Sequence, residues 1–246
     1  MKVVGVIPAR YASTRLPGKP LQDILGKPMI QHVYENAARS KTLERLIVAT
    51  DDKRIISAVQ SFGGTAVLTS RDHTTGTDRV AEVVRGMDVE IVVNIQGDEP
   101  FVHPGMIDEV VAPLLEDPAL PMCTSMHEIS ESSDLANPNV VKVVVDLSGH
   151  ALYFSRSLIP YPRKAEGRRA FEHIGMYAYR KDFLLKYAGL AQTPLETLES
   201  LEQLRVLEHG YRLRVVETRQ DYVPLSVDTQ EDLERARVLA RTRLAG

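Results

Sequence analysis

The chain has 246 residues, of which 43% are hydrophobic, 26% charged and 6% aromatic, with no Trp; this is the make-up of a folded globular protein and excludes a coiled coil, a collagen-like chain or a disordered tail. Lys and Arg number 30 against 33 Asp and Glu, a formal charge of -3, so no general basic field is available for nucleic acid and any anion must be gripped locally. The single Cys123 offers neither an internal disulfide nor a Cys-based zinc site and points to a reducing, cytoplasmic compartment. No apolar run reaches the roughly 18 residues of a membrane span, and the first one is too short for a signal segment and is cut by Pro8.

Taken in chain order, β-branched apolar runs occur at residues 3–7, 46–49, 66–68 and 91–95, each closed by polar or Gly/Pro residues. Continuous rather than alternating apolar character predicts strands buried on both faces. Helical patterns lie between them. Residues 27–39 repeat Met29, Ile30, Val33, Tyr34, Ala37 and Ala38 on one face; residues 51–62 place Ile55, Ile56 and Val59 together, with Asp51 or Asp52 as cap and Gly63-Gly64 as stop; residues 77–85 form a third helix. Alternating strands and helices predict a parallel sheet with right-handed crossovers, whose ligands bind beyond the carboxyl ends of the strands. The second half reads as strands at 122–129, 140–146, 152–155, 174–179 and 211–216 with few helices between them, and a closing helix at 230–243. The expectation is an α/β protein with a mixed sheet and an antiparallel excursion. The Pro-rich stretch 158–164, with the charged run to Arg169, reads as a mobile loop.

The first strand ends in Pro8-Ala9-Arg10-Tyr11-Ala12-Ser13-Thr14-Arg15-Leu16-Pro17-Gly18-Lys19-Pro20. Cations, hydroxyls and a Gly on a loop at the sheet's carboxyl edge suit a polyphosphate. The spacing is neither that of a P-loop nor that of a dinucleotide fingerprint. The fourth strand ends in Asn94-Ile95-Gln96-Gly97-Asp98-Glu99-Pro100, where Asp98 is placed to hold a hard divalent cation that also takes phosphate oxygens, although strand-end Asp also serves as cap or turn residue. Asp228 opens the last helix and is open to two readings, metal ligand or helix N-cap. Tyr153, Phe154 and Met176 read as packing residues, Arg168-Arg169 and Glu231-Asp232 as solvated faces, and no histidine pair shows metal-ligand spacing.

The opening motif, Ser70-Arg71-Asp72-His73-Thr74-Thr75-Gly76-Thr77-Asp78-Arg79, the Asn94 to Pro100 block and Asp228, with Glu172-His173-Ile174-Gly175-Met176-Tyr177 and Leu198-Glu199-Ser200-Leu201-Glu202-Gln203, resemble the cytidylyltransferases that activate 3-deoxy-manno-octulosonate (Kdo). The resemblance runs nearly end to end. It implies a single Rossmann-like nucleotidyltransferase domain, nucleotide-binding to about residue 120 and sugar-binding and dimerising beyond, in a cytoplasmic homodimer. It also implies transfer of CMP from CTP to Kdo with Mg2+ and release of pyrophosphate, forming CMP-Kdo for lipopolysaccharide synthesis. Arg10, Ser13, Arg15 and Lys19 would hold the CTP phosphates. Arg71, Thr74, Gly76 and Arg79 would surround the nucleotide, with backbone groups of Pro8 and Ala9 reading part of the cytosine. Asp98 and Asp228 would bind magnesium, and Gln96, Arg156, His173, Tyr177, Glu202 and Gln203 would line the Kdo pocket. Arg10, Lys19, Asp98 and Asp228 would carry catalysis. Another 2-keto acid sugar, or a catalytically silent nucleotide sensor on the same fold, are the competing expectations.

Overall fold

A computed structural model describes residues 1–164 and 169–245. Its packing resolves two compact units, Met1–Asp108 with Gln220–Gly246, and Glu109–Arg219. Where the sequence suggests a division near residue 120, the packing divides the chain at Asp108 and returns it to the first unit at Gln220. The cause is apolar: Leu225, Val227, Leu233, Ala236 and Ala240 are buried together with Leu16, Ile24 and Met29.

In the first unit, β1 (Val3–Ala9), a hairpin of β2 (Asp23–Ile24) and β3 (Lys27–Pro28), α1 (Met29–Ala37), β4 (Arg45–Thr50), α2 (Lys53–Ser61), β5 (Ala66–Leu68), α3 (Gly76–Val84) and β6 (Ile91–Asn94) follow one another. Strands β6, β1, β4 and β5 lie side by side, all parallel, with Val3 opposite Ile91, Val4 opposite Arg45 and Val48 opposite Ala66. The uninterrupted apolar runs of β1, β4 and β6 are buried as expected. β5 is not: Val67 and Leu68 are 39% and 52% exposed, because the strand lies at the sheet's edge and, among the described residues, has a neighbour on one side only. The first helix starts two residues later than its apolar pattern suggests, since Lys27–Pro28 pair with Asp23–Ile24 around Leu25 and Gly26, both at positive φ. Asp52 caps α2 through the Arg54 N–H, and Thr75 with Asp78 forms a reciprocal capping box on α3.

Helix α4 (Pro104–Glu116) gives no clear signal in the sequence. Pro113 lies inside it, a residue that ordinarily marks a break, while buried Met106, Ile107, Val110, Val111 and Leu114 hold it. The second unit then runs β7 (Met122–Glu128), α5 (Ser132–Leu135), β8 (Lys142–Val145), β9 (Ala151–Ser155), β10 (Phe171–Arg180), α6 (Lys181–Tyr187), α7 (Pro194–Glu199), α8 (Leu204–Glu208) and β11 (Arg214–Glu217). Its strands pair β11-β7-β10-β8-β9; β11 with β7 is parallel and the other three pairings are antiparallel. The antiparallel excursion is present, but α5 to α8 are more helix than the sequence suggests, being too short to show a period. Of the stretch read as a loop, residues 165–168, including Arg168, lie outside the described residues. Arg169 is paired with Glu128 and Glu217 at 2.7 and 3.1 Å.

The closing helix α9 (Gln230–Ala245) does not use the Asp228 side chain as its cap. Thr229 is the cap: its Oγ1 accepts from the Asp232 N–H at 3.2 Å, and the Asp232 carboxylate accepts from the Thr229 N–H at 3.0 Å. Asp232 is thus a capping residue rather than one of a solvated pair, and the Asp228 side chain is left for another use. Thr229→Ala should lower stability by about 1 kcal/mol, read as a lower urea midpoint at unchanged slope; an unchanged midpoint would remove the capping role.

Candidate active site

The loop after β1 is shaped before it is charged. Leu16 and Pro20 are buried and anchor it; the Gly18 N–H closes it on the Tyr11 carbonyl at 3.2 Å, and the Leu16 N–H on Ser13 Oγ at 3.3 Å. Gly18 sits at φ 64°, with Tyr11 ring atoms 3.2 Å from where a Cβ would stand, so a glycine is needed for both reasons. A short 3-10 turn, Lys19–Leu21, follows. Arg10 donates to the His73 carbonyl at 2.6 Å, tying this loop to the one that precedes α3. Burial, and then the Arg79 charge, lower the pKa of Arg10 from its ordinary value.

A cavity of about 400 Å³ opens at the carboxyl ends of β1 and β6, lined by Pro8, Ala9, Arg10, Ser13, Arg15, Lys19, Gly76, Gln96, Asp98 and Asp228, together with Ala12, Thr14, Pro20 and Gly97. Residues expected to grip phosphate and residues expected to bind metal therefore face one space. Gly97 is required there: a Cβ would lie 2.8 Å from the Pro8 carbonyl oxygen. The Val227 N–H donates to the Asp98 carbonyl at 2.9 Å, which brings the segment before α9 alongside the end of β6. Lys19 Nζ donates to Asp98 Oδ2 at 2.6 Å and to Asp228 Oδ1 at 2.9 Å, and Arg15 reaches Asp228 Oδ2 at 3.0 Å. Burial alone would lower the Lys19 pKa; the charges and hydrogen bonds of Asp98 and Asp228 outweigh it and leave it above its ordinary value.

Among the described residues no group of three or more His, Cys, Asp or Glu side chains could hold a metal ion. Asp98 and Asp228 nonetheless send one oxygen each to a single ammonium, so they lie close enough to share a cation. A hard divalent ion that keeps few protein ligands and fills its shell with phosphate oxygens and water fits that pair.

Three residues expected around the nucleotide do not line this cavity. Arg79 is fully buried; its guanidinium reaches Asp51 at 2.8 Å, the Ser70 carbonyl at 3.3 Å and the Thr69 hydroxyl. It holds the loop after β5 from behind. Thr74 donates to Asp78 at 3.2 Å, and Arg71 borders a separate depression with Asp52 and Arg54.

The residues expected to meet the sugar, Gln96 apart, belong to the second unit. β10 carries a bulge between Ile174 and Tyr177 opposite Thr124. The Thr124 hydroxyl donates to the Met176 carbonyl at 2.8 Å, and His173 Nε2 lies 2.9 Å from the same hydroxyl. A hydroxyl has one proton, so Nε2 is the donor to Thr124 and Nδ1 is left to accept from the Gln203 amide at 3.5 Å. Phe154 packs edge-on against the ring at 4.8 Å and Tyr177 tilts over it at 5.4 Å. Burial pushes the His173 pKa down to about 3, so the ring is neutral and both nitrogens are engaged. Glu172, beside it on β10, is pushed up to about 7 by burial and then by the Asp134 charge. Burial, and then the Glu202 charge, push the Tyr177 hydroxyl up. The Arg156 guanidinium donates to the carbonyls of Glu199, Pro138 and Ser200 at 2.7, 2.9 and 3.3 Å, supporting Ser200, which sits at φ 52°. Glu199 in turn accepts from Ser155 Oγ and the Arg156 N–H at 2.7 and 3.0 Å. Thr124 and Glu199 escape sequence reading, since nothing at their positions separates them from ordinary strand and helix-end residues.

A profile of the cytidylyltransferase family matches residues 4–218. The 3-deoxy-manno-octulosonate cytidylyltransferases of Syntrophotalea carbinolica and Geobacter sulfurreducens are 55% and 53% identical, each over 96% of this chain and 97% and 98% of their own. The chain belongs to the 3-deoxy-manno-octulosonate cytidylyltransferase family. A solved CMP:2-keto-3-deoxy-manno-octonic acid synthetase complexed with CTP superposes with a TM-score of 0.95 at 48% identity, over 99% of this chain and 100% of its own. A cytidylyltransferase from Leptospira borgpetersenii shares the fold at a TM-score of 0.65 and 18% identity, covering 98% of this chain and 87% of its own. Family membership and the cavity thus agree on a nucleotidyltransferase fold.

Gly97→Ala should destabilise this cytidylyltransferase by about 1–3 kcal/mol by driving the ends of β1 and β6 apart, seen as a lower Tm; a Tm like that of the parent chain would show that the strand ends can part freely. Titration gives a second expectation. His173 is neutral in the folded chain down to about pH 3 but takes a proton in the unfolded chain below its ordinary 6.5. Its contribution to stability is therefore present above 6.5 and lost as pH falls toward 3. Glu172 acts oppositely: its contribution is complete below its ordinary 4.5 and is lost as pH rises through about 7. Urea midpoints compared at pH 7 and pH 4 should show a smaller acid loss in His173→Asn than in the parent chain; an equal loss would place the His173 pKa near 6.5.

Proposed function

We infer that the chain transfers CMP from CTP to the anomeric hydroxyl of Kdo, releasing pyrophosphate and forming CMP-Kdo, the activated sugar for lipopolysaccharide synthesis. One observation carries this reading: Arg10, Ser13, Arg15 and Lys19 share a single cavity with Asp98 and Asp228, in a chain of this family. Attack on an α-phosphate requires neutralised phosphate oxygens and a stabilised pyrophosphate leaving group. Arg10, Arg15 and Lys19 supply that positive charge from a loop closed by its own backbone, so little reorganisation accompanies the reaction. Asp98 and Asp228 would hold Mg2+, which when bound supplies further charge neutralisation at the phosphates. Gln96, His173, Tyr177, Glu202 and Gln203 would recognise the sugar. His173 would contribute the face of a neutral ring and the orientation of the Gln203 amide, rather than act as a base. Arg156 acts as a positioning residue for the Ser200 turn, and Arg79 as one for the loop before α3.

The assay is pyrophosphate release from CTP and Mg2+ with Kdo, sialic acid or no sugar. Release with Kdo alone is expected. Release with sialic acid alone would move the substrate, and none with any sugar would overturn the reading. Asp98→Asn and Asp228→Asn should each lower kcat by at least about 100-fold in a chain that still unfolds cooperatively; full activity in either would remove that carboxylate from the metal site.

A homodimer completes the proposal. Leu152 and Leu198, both in the second unit, are 62% and 81% exposed, and large apolar side chains left open to solvent favour association. Sedimentation at micromolar concentration should give twice the chain mass, and a monomer would reject it. No described helix is long and apolar enough to cross a membrane. The cytoplasm is the proposed location, supported by the lone buried Cys123 and by CTP as substrate.

A further inference from the structure

Lys19 is assigned above to nucleotide phosphate, yet its ammonium lies against the two carboxylates assigned to the metal. It contacts Asp98 Oδ2 at 2.6 Å and Asp228 Oδ1 at 2.9 Å, while Arg15 takes the second Asp228 oxygen at 3.0 Å. Two cations and two anions sum to zero, so the pair presents no net negative charge to a free divalent ion. That ion would have to displace an ammonium only 17% exposed, whose bonds are not weakened by water as those of a surface pair are. A nucleotide triphosphate changes the balance: its oxygens enter the cavity that Lys19 and Arg15 line and compete for the same two cations. As they are drawn to phosphate, Asp98 and Asp228 lose their counter-ions beside a polyanion, the setting in which a hard divalent ion binds well.

We propose that Lys19 is a resident counter-ion that closes the Asp98 and Asp228 pair to free divalent metal and releases it only when nucleotide phosphates draw the ammonium away. The site is thereby loaded in order, nucleotide before or together with metal. The proposal rests on the metal assignment made above for Asp98 and Asp228.

The test needs no turnover. Mn2+ is titrated into the whole 246-residue chain without nucleotide, and the free ion is followed by electron paramagnetic resonance. The parent chain should hold Mn2+ only weakly. Lys19→Met and Lys19→Gln should each bind it at least about tenfold more tightly, the effect of removing one close positive charge. Adding Asp98→Asn to either variant should abolish the gain. Equal Mn2+ affinity in the parent and a folded Lys19 variant overturns the proposal. So does tight nucleotide-free binding by the parent chain. Should Lys19→Met fail to fold, Lys19→Gln, which keeps a hydrogen-bond donor between the carboxylates, carries the same expectation. A gain that survives Asp98→Asn places the ion elsewhere and also overturns it. Pyrophosphate release by the parent chain with CTP, Mg2+ and Kdo tests the underlying reading separately, so the two can fail independently.

Discussion

Two carboxylates far apart in the sequence can be held close together only if something offsets their repulsion, and here that something is the Lys19 ammonium. The arrangement depends on it from both sides. Asp98 arrives at the end of a buried strand, and Asp228 arrives because Val227 is buried in the apolar core and donates its N–H to the Asp98 carbonyl. Lys19 is brought in by a loop whose Leu16 is buried in that same cluster. Hydrophobic burial therefore does the positioning, and Coulomb attraction fixes only the last few ångströms. The division matters because exposed ion pairs alone contribute little and could not organise three distant segments.

The same logic separates two kinds of arginine in the molecule. Arg10 and Arg15 line the cavity with one protein partner each among the described residues, the His73 carbonyl and the Asp228 carboxylate, while Arg79 and Arg156 spread their guanidinium groups over several, mostly carbonyls and, for Arg79, also Asp51. A planar fork of five donors is well suited to holding several backbone oxygens at once. Residue type and family position cannot distinguish the two uses, because each sits in a polar motif and each would be damaging to lose. The distinction appears only when the donors are counted against their partners. Arg79 accordingly shapes the loop that places Gly76 in the cavity, and Arg156 supports a turn whose Ser200 adopts a left-handed conformation. Substituting either by Lys keeps the charge but not the fork.

Much of the first unit was legible because its rules are local. Uninterrupted apolar runs mark β1, β4 and β6; Asp52 and Gly63 bracket α2; the loop after β1 advertises its chemistry through Arg10, Arg15 and Lys19. What escaped reading depends on distance. Residues 66–68 look like a buried strand but occupy an edge, and no sequence pattern records how many neighbours a strand has. Helix α4 hides behind Pro113, and α5 to α8 are too short for a hydrophobic period to show. Asp228 is ambiguous in the sequence because Asp is a common cap; the structure hands that task to Thr229 and Asp232, and the Asp228 carboxylate pairs with Lys19 and Arg15 of the opening loop instead.

His173 shows how far this reasoning constrains mechanism. Its two nitrogens lie in a directed chain from the Gln203 amide through the ring to the Thr124 hydroxyl and the Met176 carbonyl, and burial leaves the ring uncharged. A base needs a free lone pair and a pKa near the working pH; this ring has neither. The bulge at Gly175-Met176 is what brings the Met176 carbonyl into reach of Thr124, so the irregularity in β10 and the proton's position on His173 are one feature. A site built this way offers fixed hydrogen-bond directions rather than a proton acceptor. The charge in the first unit's cavity is gathered instead around Lys19, where one ammonium holds the repulsion between two carboxylates in check.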